Sequence, residues 1–329
     1  MPANALTEAI RLVVSGTSLS ADETTAAFDV IMRGEGAPSQ VGALLVALAL
    51  KGETAQEVAG GARALRNAML SFDDDEATTL VDTCGTGGGA FSTFNISTAA
   101  ALAAAGAGVR IAKHGNRSNS TRCGSADVLE ALGVEIQPSA AMMRRMLDHA
   151  GIVFMFAPAM HPAMRHVAAV RREVGVPTIM NYLGPLANPA RMDLMAGALA
   201  ELGSVHALVV HGEPGMDEIS PIGCTRVLEV RSGAVSEWSI DPANYGLAAE
   251  PDDLSGGEPA ANAERVRAVL EGRQTHGARS AVVLNAAAAV YVSGRATSYA
   301  DAIAIAADAV DSGKGMRALV ALREASNRA

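Results

Sequence analysis

Residues 79–98 read TLVDTCGTGGGAFSTFNIST, and they change register twice in that short span. Thr79-Leu-Val-Asp-Thr83 is a strand-like run, apolar and β-branched. Gly85-Thr-Gly-Gly-Gly89 follows as a loop, and an alanine-rich segment then predicts a helix over 97–107. Strand, glycine loop and helix make the repeating unit of an α/β sheet, which binds ligands beyond the carboxyl ends of its strands. Glycines let the backbone come close to a ligand and turn several N–H groups toward it. The helix N-terminus behind them adds partial positive charge. The loop therefore reads as a phosphate site, although it is neither GxGxxG nor GxxxxGK[ST], and an ordinary glycine-rich turn has the same composition. Asn95-Ile-Ser-Thr98 supplies good N-cap types. Capping, or ligation of a phosphate oxygen or a metal, are both open to these hydroxyls.

Outward from this stretch the pattern keeps alternating. A β-like run at 109–113 leads into a polar loop, then helices at 125–132 and 140–149, with further apolar runs at 152–156 and 206–211. Residues 225–230 and 235–240 predict a β-ribbon, and the chain from 262 onward reads as mostly helical. Upstream, the first 70 residues are helical in pattern. Ser20 with Glu23, and Thr54 with Glu57, have capping-box spacing. Between them residues 41–50 form a buried helix entered through Pro38-Ser39. The acidic connector at 71–76 is the best boundary.

Composition bounds the function. The 329 residues carry 49% hydrophobic and 19% charged side chains, enough to bury a core without disulfides. The net charge of −9 and an aromatic content of 3% disfavour a nucleic-acid binder. Any anionic ligand must be held by a local cluster or a metal. Cys84, Cys123 and Cys224 are scattered and odd in number, which fits reduced thiols and a cytoplasmic location. The longest strongly apolar run, 43–50, falls short of a bilayer span. No membrane partner is expected.

Three more motifs carry chemistry. Lys113-His-Gly-Asn-Arg-Ser-Asn-Ser-Thr-Arg-Cys-Gly-Ser125 follows a β-like run and concentrates one of only three lysines, two arginines and many hydroxyls and amides. Lys113 and the backbone N–H groups suit an anion. His161 precedes Pro162, which suits a first helical turn. Arg171 lies ten residues on, roughly 15 Å along a helix, so one compact ligand reaches both only if the helix bends or starts late. Finally, Asp217-Glu218 follows the run ending at His211. On a loop both carboxylates can converge on a hard cation such as Mg2+. As an isolated dipeptide the pair is also ordinary surface charge.

Taken in order, GTGG, NIST, KHGN, LGPLANP and GMDE make the chain resemble the anthranilate phosphoribosyltransferase family of tryptophan biosynthesis over nearly its whole length. The resemblance implies a small helical domain, residues 1–75 completed by about 161–185. A larger α/β domain with a central mixed sheet flanked by helices would comprise 76–160 and 186–329. It implies Mg2+-dependent transfer of the phosphoribosyl group of phosphoribosyl diphosphate (PRPP) to the amine of anthranilate, by a homodimer joined through the helical domains. Gly85, Gly88, Gly89, Thr93, Asn95, Ile96, Ser97 and Thr98 fall where the family binds PRPP. So do Lys113, His114, Gly115, Asn116, Arg117, Ser118, Asn119, Ser120, Thr121 and Ser125. Ser97, Asp217 and Glu218 match its metal ligands. Gly85, Asn116, Arg171, His161 and Pro185 match the anthranilate side, and His114 lines the same approach and is the one candidate catalytic group.

Two departures stand out. Many members read GTGGD where this chain has Gly89, which removes a carboxylate near the metals. Members also carry a further strand and loop after the NPA segment, whereas here Pro189-Ala190 runs almost directly into a helix. Such a loss would take a strand from the sheet. Alternatives are the same fold with another aromatic acceptor, or a non-catalytic nucleic-acid-binding paralogue. The related pyrimidine nucleoside phosphorylases are disfavoured because no KxSxGG-like loop is present.

Overall fold

Helix-forming signals at the start of the chain fold as written. A computed structural model describes residues 4–70, 72, 80–85, 93–118, 122–183, 192–274 and 276–327. Four helices come first: α1 (Ala5–Val14), α2 (Ala21–Met32), α3 (Pro38–Lys51) and α4 (Ala55–Asn67). The Ser20/Glu23 and Thr54/Glu57 capping boxes both form. Pro38 occupies the first turn of α3, and Gly52, at φ 87°, ends it. Then follow α5 (Ile96–Gly106), β1 (Ile111–Gly115), α6 (Ser125–Ala131), α7 (Ala140–Ala150) and β2 (Ile152–Phe156). Next are α8 (Ala157–Met160), α9 (Arg165–Val174), α10 (Ile179–Leu183), α11 (Met192–Glu201), β3 (His206–Gly212), β4 (Thr225–Arg231) and β5 (Ala234–Ile240). Four helices close the chain: α12 (Pro259–Leu270), α13 (Gly277–Val292), α14 (Tyr299–Asp311) and α15 (Lys314–Asn327).

The chain divides into two compact units. One comprises Met1–Ser71, Pro158–Val209 and Leu228–Ser236. Its core is continuous, from Leu6, Phe28, Ile31, Leu44, Leu45 and Leu48 to Val167, Val170 and Ile179. Glu57 does more than cap α4. It is fully buried, and its carboxylate accepts from the Leu19 N–H (2.9 Å), the Thr54 N–H (2.8 Å) and the Lys51 ammonium (2.9 Å).

The other unit comprises Phe72–Ala157, Val210–Val227 and Glu237–Ala329. At its centre α5 is buried almost all round, as an alanine-rich helix with no polar face must be, and it packs against α13 and α15. Among the described residues the strands fall in two sheets. β1 and β2 pair in parallel from Ile111 opposite Ile152 to Gly115 opposite Phe156, and Val81 bridges the other edge of β1. The second sheet has the order β3-β4-β5. The expected ribbon is its β4–β5 hairpin, turned by Ser232 and Gly233, both at positive φ. The acidic connector at 71–76, Phe72 apart, and the segment 184–191 that contains the expected shortening lie outside the described residues. Among the described residues no helix is long and apolar enough to cross a membrane.

Candidate active site

The parallel register brings the two sequence loops together. Val81 donates to the Arg110 carbonyl and accepts from the Ala112 N–H, both at 2.9 Å, so Asp82-Thr83 ends beside the carboxyl end of β1. With a period of two, Ile111 and Lys113 face inward on the same side of β1. Lys113 is 2% exposed. Its ammonium donates to the Thr83 carbonyl at 2.5 Å, and lies 3.5 Å from Thr83 Oγ1 and 3.4 Å from Ser97 Oγ. Burial pulls its pKa down, against the opposing pull of Asp82, Cys84 and Glu218. The next residue, His114, donates its N–H to Asp82 Oδ1 at 3.1 Å. Its imidazole pKa is lowered, by burial first and then by Lys113, so the ring is neutral at pH 7.

Helix α5 delivers the second wall. Asn95 stands at its N-cap, yet its side chain does not cap. Its amide instead donates to the Cys123 carbonyl at 3.2 Å and accepts from Asn262 Nδ2 at 3.0 Å, while Asn262 Oδ1 takes the Gly257 N–H. The orphan N–H groups of the first turn are thereby left for other acceptors. One of them, Ser97 N–H, donates to Glu218 Oε1 at 3.1 Å.

The acidic pair arrives from the loop after β3, held by mutual Gly212–Met216 backbone hydrogen bonds. A Cβ built on Gly85 would lie 3.0 Å from Asp217 Oδ2 and 3.5 Å from Glu218 Oε1, so the glycine loop begins directly against both carboxylates. Glu218 is 8% exposed, and its Oε2 is buried without a hydrogen-bond partner. Burial, and then the neighbouring Asp217, push its pKa up to about 8; the Ser97 N–H and Lys113 pull the other way. Thr98 Oγ1, one residue past Ser97, is also buried and unpartnered. Behind the pair, Asn285 of α13 exchanges two hydrogen bonds with the Ile219 backbone, accepting at 3.0 Å and donating at 2.9 Å.

The loop after β1 is tightly built. A Cβ on Gly115 would fall 2.1 Å from Ser125 Oγ and 2.8 Å from Phe154 Cε2, so only glycine fits. The Asn116 carbonyl accepts from Ala126 N–H and Ser125 Oγ. Arg117, expected at the PRPP side, is turned to Asp127 (2.9 Å) and Glu130 (2.5 Å). Asp127 also receives the Ser118 and Gly124 N–H groups.

The structure thus brings Gly85, Ser97, Lys113, Asp217 and Glu218 into one cluster. Thr93, Asn95, Ile96, Thr98, His114, Gly115, Asn116, Arg117, Ser118 and Ser125 belong to the same unit. Gly88, Gly89, Asn119, Ser120, Thr121 and Pro185 lie outside the described residues. His161 and Arg171 belong to the other unit. There, α8 and a 3-10 turn (Pro162–Met164) interrupt the segment, and the helix bearing Arg171 starts only at Arg165. Arg171 is half-buried, burial lowers its pKa, and no carboxylate among the described residues pairs with it. Asn285, Asn262 and Asp127 were not singled out in the sequence. The only local signal for Asn285 is a lone amide inside an apolar run.

The donors suit a hard cation. They are oxygens: one buried, unpartnered carboxylate oxygen, a second carboxylate and a serine hydroxyl. No cluster of three His, Cys, Asp or Glu occurs among the described residues. Mg2+ is commonly held by one or two carboxylates with the remaining positions left to ligand phosphates and water, so this set fits it.

The families described as "Glycosyl transferase family, a/b domain" and "Glycosyl transferase family, helical bundle domain" match residues 77–316 and 7–69. Over 335 aligned residues, 97% of this chain and 98% of the relative, the protein is 47% identical to the anthranilate phosphoribosyltransferase of Herpetosiphon aurantiacus. The chain belongs to the anthranilate phosphoribosyltransferase family. Its relative in Rubrobacter xylanophilus is also 47% identical, covering 98% of both chains. Each aligned length exceeds the 329 residues of this chain, so these anthranilate phosphoribosyltransferases carry residues within the match that it lacks. The crystal structure of the anthranilate phosphoribosyltransferase from Thermus thermophilus superimposes with a TM-score of 0.89 at 38% identity, covering 97% of this chain and 99% of that one. The Saccharomyces cerevisiae anthranilate phosphoribosyltransferase, solved in complex with PRPP and Mg, shares the fold at a TM-score of 0.86 and 24% identity, covering 98% and 97%.

Proposed function

We propose that this protein transfers the phosphoribosyl group of PRPP to the amine of anthranilate, giving N-(5-phosphoribosyl)anthranilate and diphosphate, with Mg2+ as cofactor. The observation that carries the reading is Glu218, whose buried, unpartnered Oε2 stands with Asp217 against the first glycine of the loop. Asp217, Glu218 and Ser97 would hold the metal. When bound, the ion supplies positive charge beside the departing diphosphate.

The rest is done by the chain. The amine nitrogen of anthranilate forms a bond to C1 of the ribose as the C1–oxygen bond to diphosphate breaks, and the nitrogen then sheds a proton. Positive charge develops on the sugar and negative charge on the leaving group. Backbone N–H groups of the glycine loop and of the α5 N-terminus meet the latter. Lys113, its side-chain nitrogen held by the Thr83 carbonyl and 3.4 Å from Ser97 Oγ, adds a hydrogen-bond donor at a fixed position. Arg171 binds the anthranilate carboxylate so that the amine faces C1. His114, neutral at pH 7, lines the approach and can take a proton. The PRPP loop comprises Lys113 to Thr121 with Ser125; within it Arg117 acts by bracing the loop through Asp127 and Glu130.

A helical domain of residues 1–75 completed by about 161–185 belongs to the same reading, supported by the apolar core shared by α1–α4, α9 and α10. So does a homodimer through that domain, for which the exposed Val14 and Leu50 are apolar contact points. The three free cysteines agree with a cytoplasmic location.

The test follows the fluorescence of anthranilate with PRPP and Mg2+ present or chelated. Consumption that needs all three supports the proposal. A folded protein that consumes no anthranilate under any of these conditions refutes it.

A further inference from the structure

Asp217 and Glu218 sit on a loop, yet metal ligands must be held to within a fraction of an ångström. The backbone of Ile219, the residue after the pair, is bonded by a side chain 66 positions further along the chain. Asn285 Oδ1 accepts the Ile219 N–H at 3.0 Å, and its Nδ2 donates to the Ile219 carbonyl at 2.9 Å and to the Ala281 carbonyl at 2.9 Å. These three bonds fix the orientation of the amide, because exchanging its oxygen and nitrogen would set donor against donor and acceptor against acceptor. The Ile219 N–H belongs to the peptide plane that begins at Glu218, so the clamp fixes the root of that side chain. Its tip is fixed separately, by the Ser97 N–H at the start of α5. Since α5 packs on α13, root and tip are anchored to two helices that are themselves in contact.

Helix stability does not explain this residue. Its neighbours Val282, Val283, Leu284, Ala286 and Ala287 are all fully buried and apolar. Alanine or leucine there would favour the helix, and an amide is tolerated in such surroundings only when its hydrogen bonds are made. What the amide adds is the fixed Ile219 backbone.

We propose that Asn285 is a positioning residue for the metal site, holding Glu218 and its neighbour Asp217 in ligating geometry from α13. The inference rests on the assignment of those carboxylates as the metal ligands. Asn285→Leu removes the clamp. Asn285→Asp keeps an acceptor for the Ile219 N–H but sets an oxygen against the Ile219 carbonyl. Tyr299→Phe removes the 2.9 Å bond from the Tyr299 hydroxyl to the Leu284 carbonyl, disturbing the same helix without touching Ile219.

The probe is Mn2+, titrated with PRPP present and read by electron paramagnetic resonance. The Asn285 variants are expected to need at least about tenfold more Mn2+ for half-saturation, as loss of an outer-shell partner typically costs. The Mg2+ concentration for half-maximal activity should rise with it, while KM for anthranilate and the behaviour of Tyr299→Phe stay as in the unaltered protein. If Asn285→Leu does not fold, the near-isosteric Asn285→Asp gives the same comparison. Unchanged Mn2+ affinity in a folded Asn285 variant, or an equal shift in Tyr299→Phe, overturns the inference alone. Failure of the unaltered protein to bind Mn2+ overturns the metal assignment along with it.

Discussion

Glu218→Gln is expected to stabilise the metal-free protein while abolishing its response to Mg2+. The Glu218 pKa rises from an ordinary 4.5 to about 8 in the folded chain, chiefly through burial and secondly through Asp217. Below pH 4.5 the group is protonated in both folded and unfolded chains and costs nothing. As pH rises toward 8 the unfolded chain releases the proton and the folded one keeps it, so stability falls across that window and is level above it. At about 1.4 kcal/mol per pH unit, the contribution at pH 7 is on the order of 3 kcal/mol against the fold. Glutamine keeps an oxygen for the Ser97 N–H and carries no charge. Thermal melts of both proteins in chelator, from pH 5 to 8.5, should therefore diverge, the variant gaining as pH rises. The shared pH dependence of all other groups cancels in the difference. A difference that stays constant with pH, or a variant less stable than the parent at pH 8, would refute the reasoning. In the same variant, anthranilate consumption should no longer respond to Mg2+.

Arg171→Ala should raise the anthranilate KM strongly while leaving PRPP affinity, read by calorimetry, near its original value; equal loss of both would reject its role. Gly115→Ala places a methyl group 2.1 Å from Ser125 Oγ, so the PRPP loop must shift; PRPP affinity should drop about tenfold or more, a loss of 1.4 kcal/mol or greater, and unchanged affinity would show the loop is not part of the site. Lys51→Met strands the buried Glu57 carboxylate, 2.9 Å from the lost ammonium. The two backbone donors that remain put the expected loss near the low end of the range for a broken buried pair, about 3 kcal/mol, and a loss under about 1 kcal/mol in chemical denaturation would contradict it.

Features set by neighbours in the chain were legible in the sequence. The capping boxes at Ser20 and Thr54, the proline-led entry to α3 and the hairpin around Ser232-Gly233 each depend on residues a few positions apart. β2 spans the predicted 152–156, whereas β1 begins two residues later than its apolar run because the Val109 N–H is still spent on the Ala104 carbonyl in the turn out of α5. Asn95 looked like a cap, and its position is one, but its amide is drawn off by Cys123 and Asn262, partners far along the chain that no local pattern announces. Arg117 falls in the expected PRPP loop, and its carboxylate partners Asp127 and Glu130 lie ten and thirteen positions on, where no motif marks them. Asp217-Glu218 as an isolated dipeptide said little. Its meaning came from Gly85 and Ser97, more than a hundred residues earlier.

The packing of α5 has a consequence for how this enzyme can move. A methyl group on Gly106 would fall 2.5 Å from the Lys314 backbone, and one on Gly315 would meet Leu270 at 2.8 Å and Ala103 at 3.2 Å. With clearances of that kind at its rear, the helix has no room to slide along its axis or roll by the width of a methyl group. The front end, bearing Ser97, is therefore a fixed datum, like a fence against which a workpiece is squared. A larger residue at Gly106 or Gly315 would press on α5 from the end opposite Ser97.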